Sequence, residues 1–160
     1  MMKITISIPK QELELFDDSG KPLRRYQVST GISGMGEECG SFCTPRGRHI
    51  IRAKIGAGQP ENAVFVKRRP TGEIYTPALG EQHRGRDWIL TRILWLSGCE
   101  SGYNRGGSCD TMRRYIYIHG TPDGTALGRP GSRGCVRMRN AELMELFELV
   151  KAGTEVEIAA

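Results

Sequence analysis

The sequence has no long apolar run. Nowhere in its 160 residues does a stretch approach the ~18 consecutive apolar residues of a membrane-spanning helix. The opening residues, MMKITISIPKQELELF, alternate in polarity and offer no small-residue cleavage site, so they do not read as a secretory leader. The chain as it stands is expected to stay in the cytoplasm, with the periplasm as the alternative if a leader has been removed. An even set of cysteines is also missing. Cys39, Cys43, Cys99, Cys109 and Cys135 make an odd number, which argues against a disulfide framework and leaves at least one thiol free. Charge is not strongly one-sided: 23 Lys plus Arg against 18 Asp plus Glu give a net charge of +5. That excess favours an anionic partner but is far from a basic arm built for nucleic acid. No stripe of basic residues interleaved with aromatics is present either. Repeats, low-complexity tails and linkers are absent. The expectation is a single domain over residues 1–160, large enough for a core and, at 38% apolar residues, globular rather than disordered.

Strand patterns fill most of the chain. Ile4, Ile6 and Ile8 alternate with polar residues, as do Leu13 and Leu15, and DDSG at 17–20 is a turn signal. Residues 3–8, 12–16 and 23–29 therefore read as a meander. Further apolar runs lie at 50–55, 63–66, 89–96 and 115–118, divided by Gly-rich segments. One helix is expected, with Leu143, Leu146, Phe147 and Val150 on one face and Asn140 as its N-cap. Gly153 suits its end, and EVEI at 155–158 reads as a closing strand. Many short strands plus one helix suggest a mainly β sandwich or barrel.

The segment HGTPDGTALGRPGSRGC, residues 119–135, places a histidine and a cysteine at the two ends of a turn-rich stretch. RRYIYIHG at 113–120 reads as a strand with His119 at its end, and Cys135 lies five residues before Asn140. A free thiol is only slightly ionised near neutrality, so a thiol nucleophile needs an adjacent base. The attacked carbonyl then needs N–H donors. Gly134 lets the backbone approach closely, and the amides of Arg133, Gly134 and Cys135 are candidate donors. The competing reading is an ordinary loop with a buried structural cysteine.

The local pattern weighs against that second reading. IHGT at 118–121, Gly128 and SRGCVRM at 132–138 resemble the signature of the L,D-transpeptidase catalytic domain, the YkuD family. STG at 29–31 and TPRG at 44–47 resemble its earlier motifs, and the resemblance covers nearly the whole chain. It implies a YkuD-type β-sandwich with one C-terminal helix packed near the active site, and an enzyme that attacks the diaminopimelate–D-Ala bond of a peptidoglycan tetrapeptide through a Cys thioester. Carried over, Cys135 is the nucleophile and His119 the base. Ser132, Arg133 and Gly134 shape the nucleophile loop and oxyanion site, the Gly120 carbonyl orients the imidazole, and Arg137 is the Arg two residues after the nucleophile. The stem's carboxylates and the net positive charge lead to the expectation that Arg137, with Arg133, meets substrate carboxylates, the alternative being that Arg137 anchors the loop. Arg133 stands where many members have His, and Glu142 where many have Asp. The chemistry calls for no cofactor, and the implied partner is a peptidoglycan fragment rather than nucleic acid or membrane.

His49 and His83 lack motif partners and read as surface or loop residues. Trp88 and Trp95 read as core or cleft wall, and Lys67, Arg68 and Arg69 as a solvated edge or a basic rim. Cys39, Cys43, Cys99 and Cys109 could form a structural zinc site, although their spacings are not a standard zinc pattern. Segments 31–43 and 97–111 are candidate lids over the acceptor side. Three functions follow: a cytoplasmic L,D-carboxypeptidase in murein recycling, which is favoured; an L,D-transpeptidase that crosslinks the wall; and a non-enzymatic Cys-rich binding module.

Overall fold

The computed structural model describes residues 2–160. The chain begins as the alternation dictates. Strands β1 (Lys3–Ser7), β2 (Glu12–Phe16) and β3 (Pro22–Gln27) form an antiparallel meander, with Ile4, Ile6, Leu13 and Leu15 turned inward. Asp17 builds the turn between β2 and β3: its Oδ1 accepts from the Ser19 and Lys21 amides. Strands β4 (Gly47–Ile55), β5 (Ala63–Val66), β6 (Arg69–Ile74), β7 (Ile89–Gly98), β8 (Tyr117–Gly120), β9 (Val136–Met138) and β10 (Glu155–Ala159) complete one ten-stranded sheet. Its main order is β3-β2-β1-β10-β4-β7-β5-β6. β7 is the spine: β4 and then β5 pair with one edge, and β8 with the other. β9 lies parallel beside β8 and bridges back to Ser29, so the sheet curls on itself.

Helix α2 (Asn140–Leu149) buries Leu143, Leu146 and Phe147 against the inner face of the curl, among Leu94, Ile118 and Met138. A smaller cluster of Ala63, Phe65, Ile93 and Tyr117 occupies the opposite face of β7 and β8, with Trp95 and Cys135 packed on it. The architecture is therefore mainly β with one substantial helix near the C-terminus. That helix supports the site strands from behind, because strand side chains alternate between faces and Cys135 is on the face away from it.

Several elements differ from the sequence reading. The Asn140 side chain does not cap α2: Arg139 holds the N-cap position without a side-chain capping bond, while Asn140 is buried and bonded elsewhere. Residues 113–115 form turn rather than strand, with Tyr115 at φ 57°. β6, RPTGEI, is polar and mostly exposed, so it has no alternation to detect, and its Pro70 suits a sheet edge. A second, short helix α1 (Pro77–Gln82) follows it. Thr76 caps this helix by accepting from the Leu79 amide, and Pro77 starts it, a Thr-Pro start signal legible in the sequence. No helix among the described residues is long and apolar enough to cross a membrane.

Candidate active site

The nucleophile loop is folded by Ser132. Its buried hydroxyl donates to the Cys135 carbonyl at 2.5 Å and accepts from the Gly134 amide at 3.1 Å. Gly134 adopts φ +127°, and a Cβ there would stand 3.0 Å from the Cys43 carbonyl oxygen. Only glycine meets both demands without strain. Thr44 Oγ1 donates to the Gly134 carbonyl at 2.8 Å and itself accepts from the Gly31 amide at 2.7 Å. The two upstream motifs thus meet the loop directly. The Gly134 N–H is committed to Ser132, so it is not an oxyanion donor, and the amides of Arg133 and Cys135 are left as the candidates.

Cys135 immediately precedes β9, where Val136 pairs with Ile118 and Arg137 with His119. Cys135, Arg137, Tyr117 and His119 therefore project from the same face of two adjacent parallel strands. The cysteine is half-buried. Its sulfur accepts the Tyr117 N–H at 3.3 Å, and the thiol donates to the Tyr115 carbonyl at 3.3 Å. Burial pushes the thiol up to about 12, against the Tyr117 N–H and the Arg137 and Arg114 guanidiniums, which pull it down. The resting group is a neutral thiol.

His119 is buried, and its Nδ1 lies 2.6 Å from the Gly120 carbonyl oxygen. A carbonyl only accepts, so Nδ1 carries the proton and Nε2 is the basic nitrogen. Burial lowers the imidazole below its ordinary range; Asp87 and the Gly120 carbonyl act in the opposite sense, and Arg137 adds to the lowering. The ring is neutral near pH 7, the state a base needs. Its strand is fixed from behind. Asn140 Nδ2 donates to the Thr121 carbonyl at 2.9 Å and to Asn62 Oδ1 at 3.0 Å, while its Oδ1 accepts from Thr91 at 2.6 Å. A Cβ on Gly120 would stand 2.1 Å from that same Oδ1. Thr91 holds φ +75° in the irregular stretch of β7 between Leu90 and Ile93. A β-branched residue there is a genuine outlier, and its hydroxyl is what the conformation delivers.

The thiol opens into a cleft of about 500 Å³ bounded by the Lys67–Arg68 turn, Asp87, Tyr115 and Tyr117. Arg133 lines it as well and donates to the Gly85 carbonyl at 2.8 Å. Half-buried Arg137 reaches Asp87 at 4.0 Å. Asp87, Thr91 and the working side chain of Asn140 were not anticipated. Asp87 and Thr91 lie far from the motif in sequence and no periodicity marks them, while Asn140, two residues past the motif, reads as a helix cap. Segment 31–43 flanks the nucleophile loop through the Gly31–Ser132 bridge, and Arg114 donates to its Cys43 carbonyl at 2.7 Å. Segment 97–111 packs against 31–43, where the Cys39 amide donates to the Ser108 carbonyl, and neither segment lines the cleft. The rim comes from the β5–β6 turn instead.

His49 is a buried structural residue, not a surface one: its nitrogens contact the Gly47 carbonyl and Thr111 Oγ1, both at 3.0 Å. His83 is exposed at the end of α1. Trp95 packs behind the cleft-lining rings of Tyr115 and Tyr117 and on the smaller core cluster, and Trp88 packs on Tyr75. All five cysteines are free, and among the described residues no group of three or more His, Cys, Asp or Glu side chains is placed to hold a metal. The four thiols of Cys39, Cys43, Cys99 and Cys109 are not gathered into such a group; Cys43 donates to the Ser33 carbonyl and Cys109 to the Gly106 carbonyl.

A curled β-domain that presents a thiol and a neutral imidazole from neighbouring parallel strands defines the class. The family model of the L,D-transpeptidase catalytic domain matches residues 2–158, and the chain belongs to that family. A probable L,D-transpeptidase of Escherichia coli K12, YbiS, is 30% identical over 139 residues, covering 81% of this chain and 44% of that protein. A probable L,D-transpeptidase of Salmonella typhimurium, ErfK/SrfK, is 27% identical over 139 residues, covering 82% and 44%. The chain spans less than half the length of these two relatives. Among solved structures, an L,D-transpeptidase from Mycobacterium smegmatis aligns with a TM-score of 0.57 at 15% identity, over 99% of this chain and 58% of that one. L,D-transpeptidase 3 from Mycobacterium tuberculosis aligns with a TM-score of 0.59 at 13% identity, over 99% and 61%. These structures establish the same fold.

Proposed function

We propose that this protein is a thiol hydrolase of peptidoglycan tetrapeptide stems, an L,D-carboxypeptidase that releases the terminal D-Ala. The observation that carries the chemistry is the pairing of a neutral imidazole, its Nδ1 proton held by the Gly120 carbonyl, with Cys135 on one face of β8 and β9. In this reading the thiol turns from the Tyr115 carbonyl toward His119 and gives its proton to Nε2. The sulfur attacks the carbonyl at the L-centre of diaminopimelate, and the amides of Arg133 and Cys135 receive the oxyanion. The C–N bond breaks, the imidazolium protonates the departing D-Ala amine, and a thioester remains. Water then gives a proton to His119 and attacks the thioester. The tripeptide leaves and Cys135 recovers its proton. One water is consumed for each D-Ala released.

The relatives' names favour a second reading, in which an amine takes the place of water and a crosslink forms. One experiment separates the two. Purified protein is incubated with disaccharide tetrapeptide, with and without an amine acceptor, and the products are weighed. Tripeptide plus D-Ala as the main product supports hydrolysis; dimer as the main product overturns it. In the favoured reading the enzyme works in the cytoplasm, on fragments returned by wall turnover, and cell fractionation tests that location.

A further inference from the structure

The β5–β6 connection is a two-residue turn. Val66 pairs with Arg69, so Lys67 and Arg68 alone reverse the chain, and both hold positive φ, 49° and 65°. Such turns favour Asn-Gly or Asp-Gly, because residues with a larger side chain resist that conformation. Two long cations at this tip are an outlier, and the tip reaches the cleft beside Cys135. Arg68 is not splayed into solvent. Its guanidinium carbon lies 4.8 Å from the ring centre of Trp95 and 4.7 Å from that of Tyr115. Its Nη1 donates to the Tyr117 hydroxyl at 2.9 Å. The backbone amide of that same Tyr117 donates to the Cys135 sulfur, so the guanidinium and the thiol are spaced by about the length of one tyrosine side chain.

The rings position the cation without neutralising it. Among the described residues no carboxylate forms an ion pair with Arg68, and apart from its bond to Tyr117 no hydrogen bond engages its N–H groups. Lys67, Arg114 and Arg133 line the same cleft, with Asp87 as the one acidic lining residue. Arg114 is committed to the carbonyls of Gly36 and Cys43, and Asp87 lies toward Arg137. Arg68 is therefore the preorganised cation left for a ligand, and a planar guanidinium suits a carboxylate.

We propose that Arg68, held between Trp95 and Tyr115, is a carboxylate-binding subsite that selects acyl donors carrying a free acid near the attacked carbonyl over their amidated counterparts. This rests on the stem-peptide reading of Cys135 and deepens it. Arg68 is a specificity-determining residue, and it takes no part in bond making.

The test uses four synthetic tetrapeptide stems. One has all its carboxylates free. The others are each amidated once: at glutamate, at the second centre of diaminopimelate, or at the terminal D-Ala. Turnover is followed with the wild-type protein and with R68Q and R68K, and melting temperatures are recorded for all three. The wild type should process one amidated stem ~10–100-fold less efficiently than the free acid, the range expected for a lost charge-assisted hydrogen bond. That stem identifies the carboxylate. R68Q should slow the free acid to the amide's rate and leave the amide's rate unchanged, with R68K in between. Equal rates on all stems in the wild type, or an equal slowing of every stem in R68Q, would overturn the subsite. Binding is measured separately by calorimetry in C135A, where no acyl transfer occurs. Preferential binding of the acid there, with no turnover by the wild type, would keep the subsite and sink the hydrolase reading. Turnover without discrimination would do the reverse, and absence of both binding and turnover would sink the two together.

Discussion

Thr91 donates its hydroxyl to Asn140 Oδ1 at 2.6 Å, tying the irregular stretch of β7 to the first turn of α2 directly behind the histidine strand. Asn140→Ala would strip partners from the Thr121 carbonyl, Asn62 and Thr91 at once. Stranding buried polar groups of this kind costs about 2–4 kcal/mol. Urea unfolding should show that loss. The kcat of the surviving folded protein should also fall, because Gly120 and His119 lose their backing. Wild-type stability together with unchanged kcat would mean that the network carries neither load.

Cys135→Ala should abolish turnover, since no neighbouring group replaces the sulfur. Cys39→Ser, Cys43→Ser, Cys99→Ser and Cys109→Ser should each retain most activity. Intact-mass measurement after brief exposure to substrate checks both halves: an acyl adduct should form on all four serine variants and never on Cys135→Ala. An adduct on the alanine variant would place the nucleophile elsewhere.

His119→Ala should lower the acylation rate by ~10²–10⁴, the usual worth of a positioned base. Because burial lowers this imidazole, it stays neutral below the ordinary histidine range. The acid limb of kcat/KM in the wild-type protein should therefore fall below pH ~6.5, the unperturbed value. An acid limb centred above that pH would argue against His119 as the titrating base.

His49 bears on stability and leaves the chemistry alone. Burial pushes it down to about 4 from an ordinary 6.5. Between those values the unfolded chain takes up a proton that the folded chain refuses. Stability is therefore undiminished above pH ~6.5 and drains as the pH falls toward 4, by up to about 3 kcal/mol. His119 acts in the same direction. His49→Gln should flatten the dependence of the urea midpoint on pH across this window while leaving kcat near wild type. An equally steep dependence in the variant would assign the effect to other groups.

The sequence exposes those parts of this protein whose pattern repeats or whose motif is contiguous. The meander was legible because Ile4, Ile6, Leu13 and Leu15 alternate, and α2 because Leu143, Leu146 and Phe147 recur at helical spacing. The neighbourhood of His119 and Cys135 was legible from one seventeen-residue stretch. What escaped depends on contacts between distant segments. Asn140 looks like a cap, and only the arrival of Thr91 and Thr121 turns its amide inward. Arg68 looks like part of a solvated basic edge until Trp95 and Tyr115 close on it. The three amides 133–135 look equivalent until Ser132 claims that of Gly134. β6 carried no signal, being an edge strand with little to bury.

Strand β10 lies between β1, which it pairs in parallel through Lys3–Glu155 to Ser7–Ala159, and β4, which it pairs antiparallel. The meander of the first 27 residues therefore has no strand neighbour in the body of the sheet until residues 155–159 arrive. On a ribosome, β1 to β3 must wait as an isolated meander with the edge of β1 unpaired, while the strands carrying the active site are still being made. Such non-local closure slows folding, and a waiting edge is open to wrong pairing. Removing residues 155–159 would leave the catalytic half and the meander without a common sheet.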